Sequence, residues 1–259
     1  MNFLFPSDYF QKTKPDEIFQ EQFETFQKAG FDCFVSNIEE EGPVYPKKEF
    51  AESELLIYRG FMLSPDEYSA LHSRMIRAGA QPLTSPADYE LCHHLPNWYP
   101  LIKDFSPETI ICRSTSEAVD IIEKLDWDAF FIKDFVKSLK TSIGSMITDK
   151  TQIPIVLAEM EKFRGTIEGG ICIRKAENWK TETEIRAFVL NGKPFIPAGA
   201  AFPDALRPAI EAIRSPFFSL DFVSSLDGNL RIVEIGDGQV SDLVGWSTSD
   251  FLKIFEHGA

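Results

Sequence analysis

Two acids set in apolar sequence, Asp221 in SLDFV and Glu234 in RIVEI, flank Leu226-Asp227-Gly228-Asn229, whose Asp-Gly pair is a hairpin signal. Strand alternation decides which side chains share a face, and a short turn can bring the two carboxylates together. Close carboxylates repel unless a cation lies between them, and hard oxygen ligands with room for water and phosphate oxygens suit magnesium. The spacing equally suits two hairpin acids in salt bridges with Arg231 or Lys193. Lys133 closes the apolar run AFFIK and opens onto a stretch through Ser145 that holds Lys140 and several hydroxyls. A lysine there can neutralise phosphate charge, although a solvated loop would look similar and no Walker sequence is present. Arg174 ends GICIR and Glu184-Ile185-Arg186 opens EIRAFVL, so two planar guanidiniums leave neighbouring strands of what should be one sheet. They suit phosphate or carboxylate recognition, with an ordinary cross-strand Arg-Glu pair as the alternative. Gly236-Asp237-Gly238-Gln239 follows Glu234 directly, either to approach a ligand closely or simply to turn.

These residues need strands to carry them. In the second half Thr109 to Cys112, Ala129 to Lys133, Gly170 to Arg174, Glu184 to Leu190, Phe217 to Val223 and Arg231 to Ile235 read as strands. Helices are expected over Ser116 to Leu125 and around Ile155 to Phe163, giving helices plus a mainly antiparallel sheet. The first half alternates instead. Asn2 to Phe5, Phe31 to Ser36 and Leu55 to Tyr58 read as short strands, and Ile18, Phe19, Phe23 and Phe26 fall at helical spacing before Gly30. Ser64-Pro65-Asp66-Glu67 has the form of a capping box, starting a helix that stops at Gly79. The first hundred or so residues therefore predict a small open α/β sheet. The acidic run Glu39-Glu40-Glu41 reads as a solvated loop.

Composition sets outer bounds. A chain of 259 residues, 44% hydrophobic, can bury a full core. A net charge of −14 argues against nucleic acid and anionic membrane as partners, because that attraction needs dense Lys and Arg. Cys33, Cys92, Cys112 and Cys172 form no CxxC pair and read as buried thiols, and neither His72 nor His93-His94 has the partners of a catalytic histidine. With no basic leader and no long apolar run, a cytoplasmic protein is the expectation.

The order of strand-end lysine, phosphate-type loop, arginine strand, Glu-x-Arg strand, Asp strand and Glu strand resembles the ATP-grasp superfamily. LFPSD, YRGFMLSPDEY, His94-Leu95-Pro96, Tyr99-Pro100 and VEIGDGQVSDL look like its small clade named for two arginines and a lysine. The resemblance implies an N-terminal open α/β domain, a pre-ATP-grasp domain over 1–107, followed by an ATP-grasp fold over 108–259. It implies an ATP- and magnesium-dependent carboxylate-amine ligase working through an acyl phosphate. Its substrates would be a small-molecule or peptide carboxylate and an amine acceptor.

Residue by residue, the resemblance gives Lys133, Arg174 and Arg186 catalytic roles at phosphate or acyl-phosphate oxygens. Lys133, Lys140, Cys172, Ile173, Arg174 and Glu184 would bind ATP, with the Gly170 to Arg174 strand serving the adenine through its backbone. Asp221, Glu234 and Asp237 would hold magnesium. The family's Glu-x-Asn motif is here Glu234-Ile235-Gly236, so a third metal ligand comes from Asp237 or water, and the glycine-rich flap is reduced to Gly144. Lys103 or Arg113 would supply a second basic group. Ser7, Asp8 and Arg59, at strand ends of the N-terminal sheet, are candidates for the acceptor site. A silent nucleotide-binding or interaction module and an ATP-dependent phosphotransferase are the alternative functions.

Overall fold

The computed structural model describes residues 1–38, 43–46, 50–51, 54–136, 146–164, 169–197 and 201–257. The acidic run at 39–41 and Lys140 lie outside them. The chain divides into two compact units, one of Met1–Cys92, Ile185–Leu220 and Gly236–Ala259, the other of His93–Glu184 and Asp221–Ile235.

In the first unit four parallel strands, β1 (Asn2–Pro6), β2 (Asp32–Ser36), β3 (Leu55–Tyr58) and β4 (Gln81–Pro82), lie in the order β2-β1-β3-β4. A parallel sheet covered on both faces needs apolar residues in succession, and alternation then sends neighbours into different cores. Phe3, Phe5, Cys33, Val35 and Ile57 join one cluster with Phe26 of helix α1 (Gln20–Lys28) and Phe255 of the C-terminal helix, Thr248–His257. Leu4, Phe34, Leu56 and Tyr58 join the other with Tyr68, Leu71 and Met75 of helix α2 (Pro65–Arg77). The capping box expected at α2 is present: Ser64 Oγ accepts from Glu67 N, and Glu67 accepts from Ser64 N at 2.7 Å. Phe26 is fully buried, its ring 4.4 Å from Phe3 and 5.7 Å from Phe255.

The Gly-Asp-Gly-Gln segment is built into this unit. Gln239 is fully buried; its Oε1 accepts from Tyr58 N at 3.2 Å, and its Nε2 donates to Tyr68 Oη at 3.0 Å and Asp237 Oδ1 at 3.1 Å. Its carbonyl accepts from Arg59 Nη1 at 2.9 Å and Gly60 N at 3.2 Å. A Cβ at Gly238 would come within 2.8 Å of the Phe217 ring, so close approach to protein is what requires that glycine. Burial pushes the Asp237 carboxyl up to about 7, with Asp88 adding to the rise and the Gln239 hydrogen bonds and Arg59 opposing it.

In the second unit β5 (Thr109–Cys112), β6 (Phe130–Asp134), β7 (Met146–Ile147) and β8 (Ile171–Lys175) form an antiparallel sheet in the order β5-β8-β6-β7. One face is apolar. Cys112, Phe130, Ile132, Ile171 and Ile173 pack with residues of the helices Thr115–Lys124 and Ile153–Arg164. A third sheet contains β9 (Trp179–Leu190), β10 (Lys193–Phe195), β11 (Phe217–Ser225) and β12 (Leu230–Asp237) in the order β10-β9-β11-β12. Its expected Asp-Gly turn is present, with Gly228 N donating to Ser225 O at 3.0 Å and Ser225 N to Asn229 O at 2.8 Å. The short β4, β7 and β10 were not expected. Yet Asn191-Gly192, both at positive φ between β9 and β10, is a turn signal available in the sequence.

Replacing Phe26 by Ala should cost about 3–5 kcal/mol, read as a lower denaturant midpoint, because the cavity would lie among rings that cannot collapse onto it. The Asp237 shift carries a sign. Its folded-state pKa is raised, so the folded chain holds a proton that the unfolded chain releases, and stability falls as pH rises from about 4 to about 7. The contribution to the slope is at most about 1.4 kcal/mol per pH unit. Asp237→Asn keeps an acceptor for Gln239 and should remove that slope; denaturation at pH 5, 6, 7 and 8 without metal checks it.

Candidate active site

The apolar face of the β5-β8-β6-β7 sheet determines what its other face carries. Register pairs Lys133 with Cys172, Phe131 with Arg174, Ile111 with Cys172 and Thr109 with Arg174, so these residues lie opposite the helix-packed side. Lys133 and Arg174, each 5% exposed, therefore stand on one face of one sheet. Lys133 Nζ lies 3.5 Å from Glu234 Oε1 of β12, an ion pair beyond hydrogen-bonding length. The lysine is buried and the glutamate half exposed, so the pair has one side open to solvent.

Arg174 is more fully engaged. Its Nη1 donates to Val233 O, its Nη2 to Ser106 Oγ at 2.6 Å, and its guanidinium lies 5.8 Å from the Trp98 ring centroid. Burial lowers its pKa to about 10, with Glu234 the leading opposing influence, so it remains a cation at neutral pH. Its Nε is buried and has no acceptor among the described residues.

Arg231 is not the partner of the hairpin acids. It pairs with Glu177 through Nε and Nη2, both at 2.9 Å, and donates to Asp104 O and Ser106 O. Glu234 is thereby left to Lys133. Asp221, on β11 in the same unit, is 6% exposed. Cys172 and Ile173 are fully buried within β8, and burial raises the Cys172 thiol to about 12, which keeps it protonated and inert. All four cysteines are free and buried. Lys103 and Arg113 both have exposed side chains; Lys103 lines a cleft of about 540 Å³ together with Tyr99, Ser106, Lys175, Glu177 and Arg231.

Several expected site residues lie elsewhere. Arg186 stands on β9 of the third sheet, so it and Arg174 do not share one sheet as expected. Glu184 is at the end of the second unit, while Arg186 and Asp237 belong to the first, where Arg186 Nη1 donates to Asp242 O at 3.0 Å. Arg59 is 2% exposed and donates from Nε to Gln22 Oε1 at 2.8 Å, so its guanidinium serves the protein's own network. Asp8 Oδ1 accepts from Phe10 N and Gln11 N, which shapes a loop. Among the described residues no group of three or more His, Cys, Asp or Glu side chains is gathered to hold a metal. Sequence reasoning missed Ser106 and Trp98, neither of which stands in a motif.

A family model for the ATP-grasp domain, that of family 3 in the clade named for two arginines and a lysine, matches residues 108–254, more than half of the chain. Among solved structures, the ATP-grasp ligase PsnB complexed with a minimal precursor superposes with a TM-score of 0.63 at 12% identity, covering 100% of this chain and 99% of that one. The D-cycloserine synthetase DcsG gives 0.65 at 11% identity, covering 98% of each chain. D-alanyl-alanine synthetase A from Vibrio cholerae O1 biovar eltor str. N16961 gives 0.61 at 12%, covering 100% and 98%. Comparison with curated proteins gave no match. At these identities the structures speak for the fold: a mixed α/β chain with antiparallel sheets, as the strand order implied. With Lys133 and Arg174 on one sheet face and the family model spanning every strand that carries them, the chain belongs to the ATP-grasp proteins, in family 3 of the two-arginine, one-lysine clade.

Proposed function

We propose that this chain is an ATP- and magnesium-dependent ligase that activates a carboxylate as an acyl phosphate and joins it to an amine. The observation that carries the reading is Arg174: a buried cation with an Nε–H that no described acceptor satisfies, on the sheet face it shares with Lys133. A buried donor without a partner costs free energy, and a phosphoryl or acyl-phosphate oxygen would supply the acceptor. Family membership and ligase structures of the same fold support the same chemistry.

In this reading Lys133 exchanges its loose pairing with Glu234 for a phosphate oxygen, and Arg174 offsets charge on the transferred group. The β8 backbone at Cys172 and Ile173 borders the adenine, with Lys140, Glu184 and Arg186 completing the nucleotide and acyl-phosphate contacts. Glu234 and Asp221 fit magnesium as hard oxygen donors, and the ion when bound would neutralise phosphate charge. Water is preferred to Asp237 as the remaining ligand, because Asp237 is 1% exposed and its Oδ1 accepts both Gln239 donors. Residues 1–107 would act as the pre-ATP-grasp domain and 108–259 as the ATP-grasp domain. The protein's substrates are a small-molecule or peptide carboxylate and an amine acceptor, a reading supported by the ligases of this fold, among them PsnB complexed with a precursor and a D-alanyl-alanine synthetase. Among the described residues no helix is long and apolar enough to cross a membrane, and we place the protein in the cytoplasm.

A non-hydrolysable ATP analogue with magnesium should raise the unfolding temperature, by about 2.7 kcal/mol of stability at a hundredfold excess over Kd. Lys133→Ala and Glu234→Gln should each abolish substrate-dependent ADP release while unfolding as the unmodified protein does. ADP release surviving in either variant overturns the assignment. Nucleotide binding with no ADP release against any carboxylate-amine pair would instead indicate a silent module, and a phosphorylated product without an amide a phosphotransferase.

A further inference from the structure

We infer that Ser106 is a positioning residue, whose hydroxyl fixes the Arg174 guanidinium in the orientation that presents its remaining donors to a phosphate; this rests on the nucleotide reading above. Ser106 is 1% exposed, in the segment that joins the 3₁₀ turn Lys103–Phe105 to β5. Its Oγ donates to Ile232 O at 2.8 Å and accepts from Arg174 Nη2 at 2.6 Å. A serine hydroxyl has one proton, and with that proton committed to Ile232 O only its lone pairs face the arginine. The hydroxyl is thus a one-way acceptor held at a fixed point.

The neighbouring residue of β12 supplies the other anchor, because Arg174 Nη1 donates to Val233 O. Two acceptors on different nitrogens fix the plane of a guanidinium, where one would leave it free to turn. Ser106 is itself restrained. Arg231 Nη2 donates to Ser106 O at 2.7 Å, and the same Arg231 is clamped by both oxygens of Glu177. A line of hydrogen bonds therefore runs from Glu177 through Arg231 and Ser106 to Arg174, leaving Nε as the guanidinium nitrogen with no acceptor among the described residues. Trp98 beneath the guanidinium adds apolar support without competing for a donor.

The test separates phosphate recognition from general integrity. Affinities for the ATP analogue AMPPNP with magnesium and for adenosine are measured by titration calorimetry, adenosine by competition, for the unmodified protein, Ser106→Ala and Ser106→Thr. The expected result is about tenfold weaker AMPPNP binding by Ser106→Ala, the size of one lost charge-assisted hydrogen bond, with adenosine affinity within about twofold. Ser106→Thr, which keeps the hydroxyl, should bind AMPPNP as the unmodified protein does. In an Arg174→Ala background Ser106→Ala should cause no further loss, since the two act as one unit. Equal weakening of both ligands, or a full tenfold loss persisting without Arg174, would overturn the role. AMPPNP binding unchanged in Ser106→Ala would sink Ser106 alone. If the unmodified protein binds neither ligand, the nucleotide reading falls and this role with it. Should Ser106→Ala not fold, Ser106→Cys, with a much weaker acceptor, is measured in the same way against the same two ligands.

Discussion

A guanidinium cannot be buried without acceptors, and the arrangement of the second unit follows from how Arg174 obtains its own. Desolvation lowers its pKa to about 10, opposed chiefly by the nearby Glu234 carboxylate, while Val233 O and Ser106 Oγ accept its hydrogen bonds. Two of those three partners come from β12, so the segment carrying Glu234 is tied to the sheet carrying Lys133 through the arginine as well as through the ion pair. The cost of burying the charge is offset by these hydrogen bonds and by the nearby carboxylate. Cationic groups fixed in this way accord with the proposed role of holding polyanionic groups in one geometry.

The sheet that bears these groups is two-faced by alternation. Ile132 and Ile173 point into the helices, while Lys133, Cys172 and Arg174, one residue along in each strand, point the other way. A slip of one residue in either strand would bury a charge against helix side chains, which gives the register a strong energetic preference. The first unit solves a different problem. Its parallel sheet is apolar on both faces, and a buried polar network around Gln239 ties the Gly-Asp-Gly-Gln segment to Tyr58, Tyr68 and Arg59. Such buried hydrogen bonds favour one arrangement of the core, with Asp237 Oδ2 the atom left without a partner among the described residues.

Much of the architecture was legible in advance because the signals were local. The capping box at Ser64 and Glu67, the Asp-Gly turn before β12 and the apolar runs of β1, β3, β6 and β8 each depend on a few neighbouring residues. Where β9 begins was less legible. Its early residues, Trp179 to Thr183, are mostly polar and partly exposed, and they pair as strand because a neighbouring strand is there to pair with. The two-residue β4 and β7 have too little sequence to show a period at all.

For the candidate site, residue types and their order along the chain determined the family and the fold, and they singled out Lys133, Arg174 and Glu234 as candidates. Charge, hydrogen-bonding capacity and strand periodicity are properties a sequence carries by itself. Which partner each charge takes was decided only by the tertiary structure. Arg231 could have neutralised Glu234 and instead holds Glu177; Asp237, beside a metal-type motif, turned into a buried network; and Ser106, in no motif, became the acceptor for Arg174. Each of these pairings joins residues or elements whose separation in space is set by packing, and a hydrogen bond is made or lost over less than one ångström, a distance that spacing along a chain does not encode.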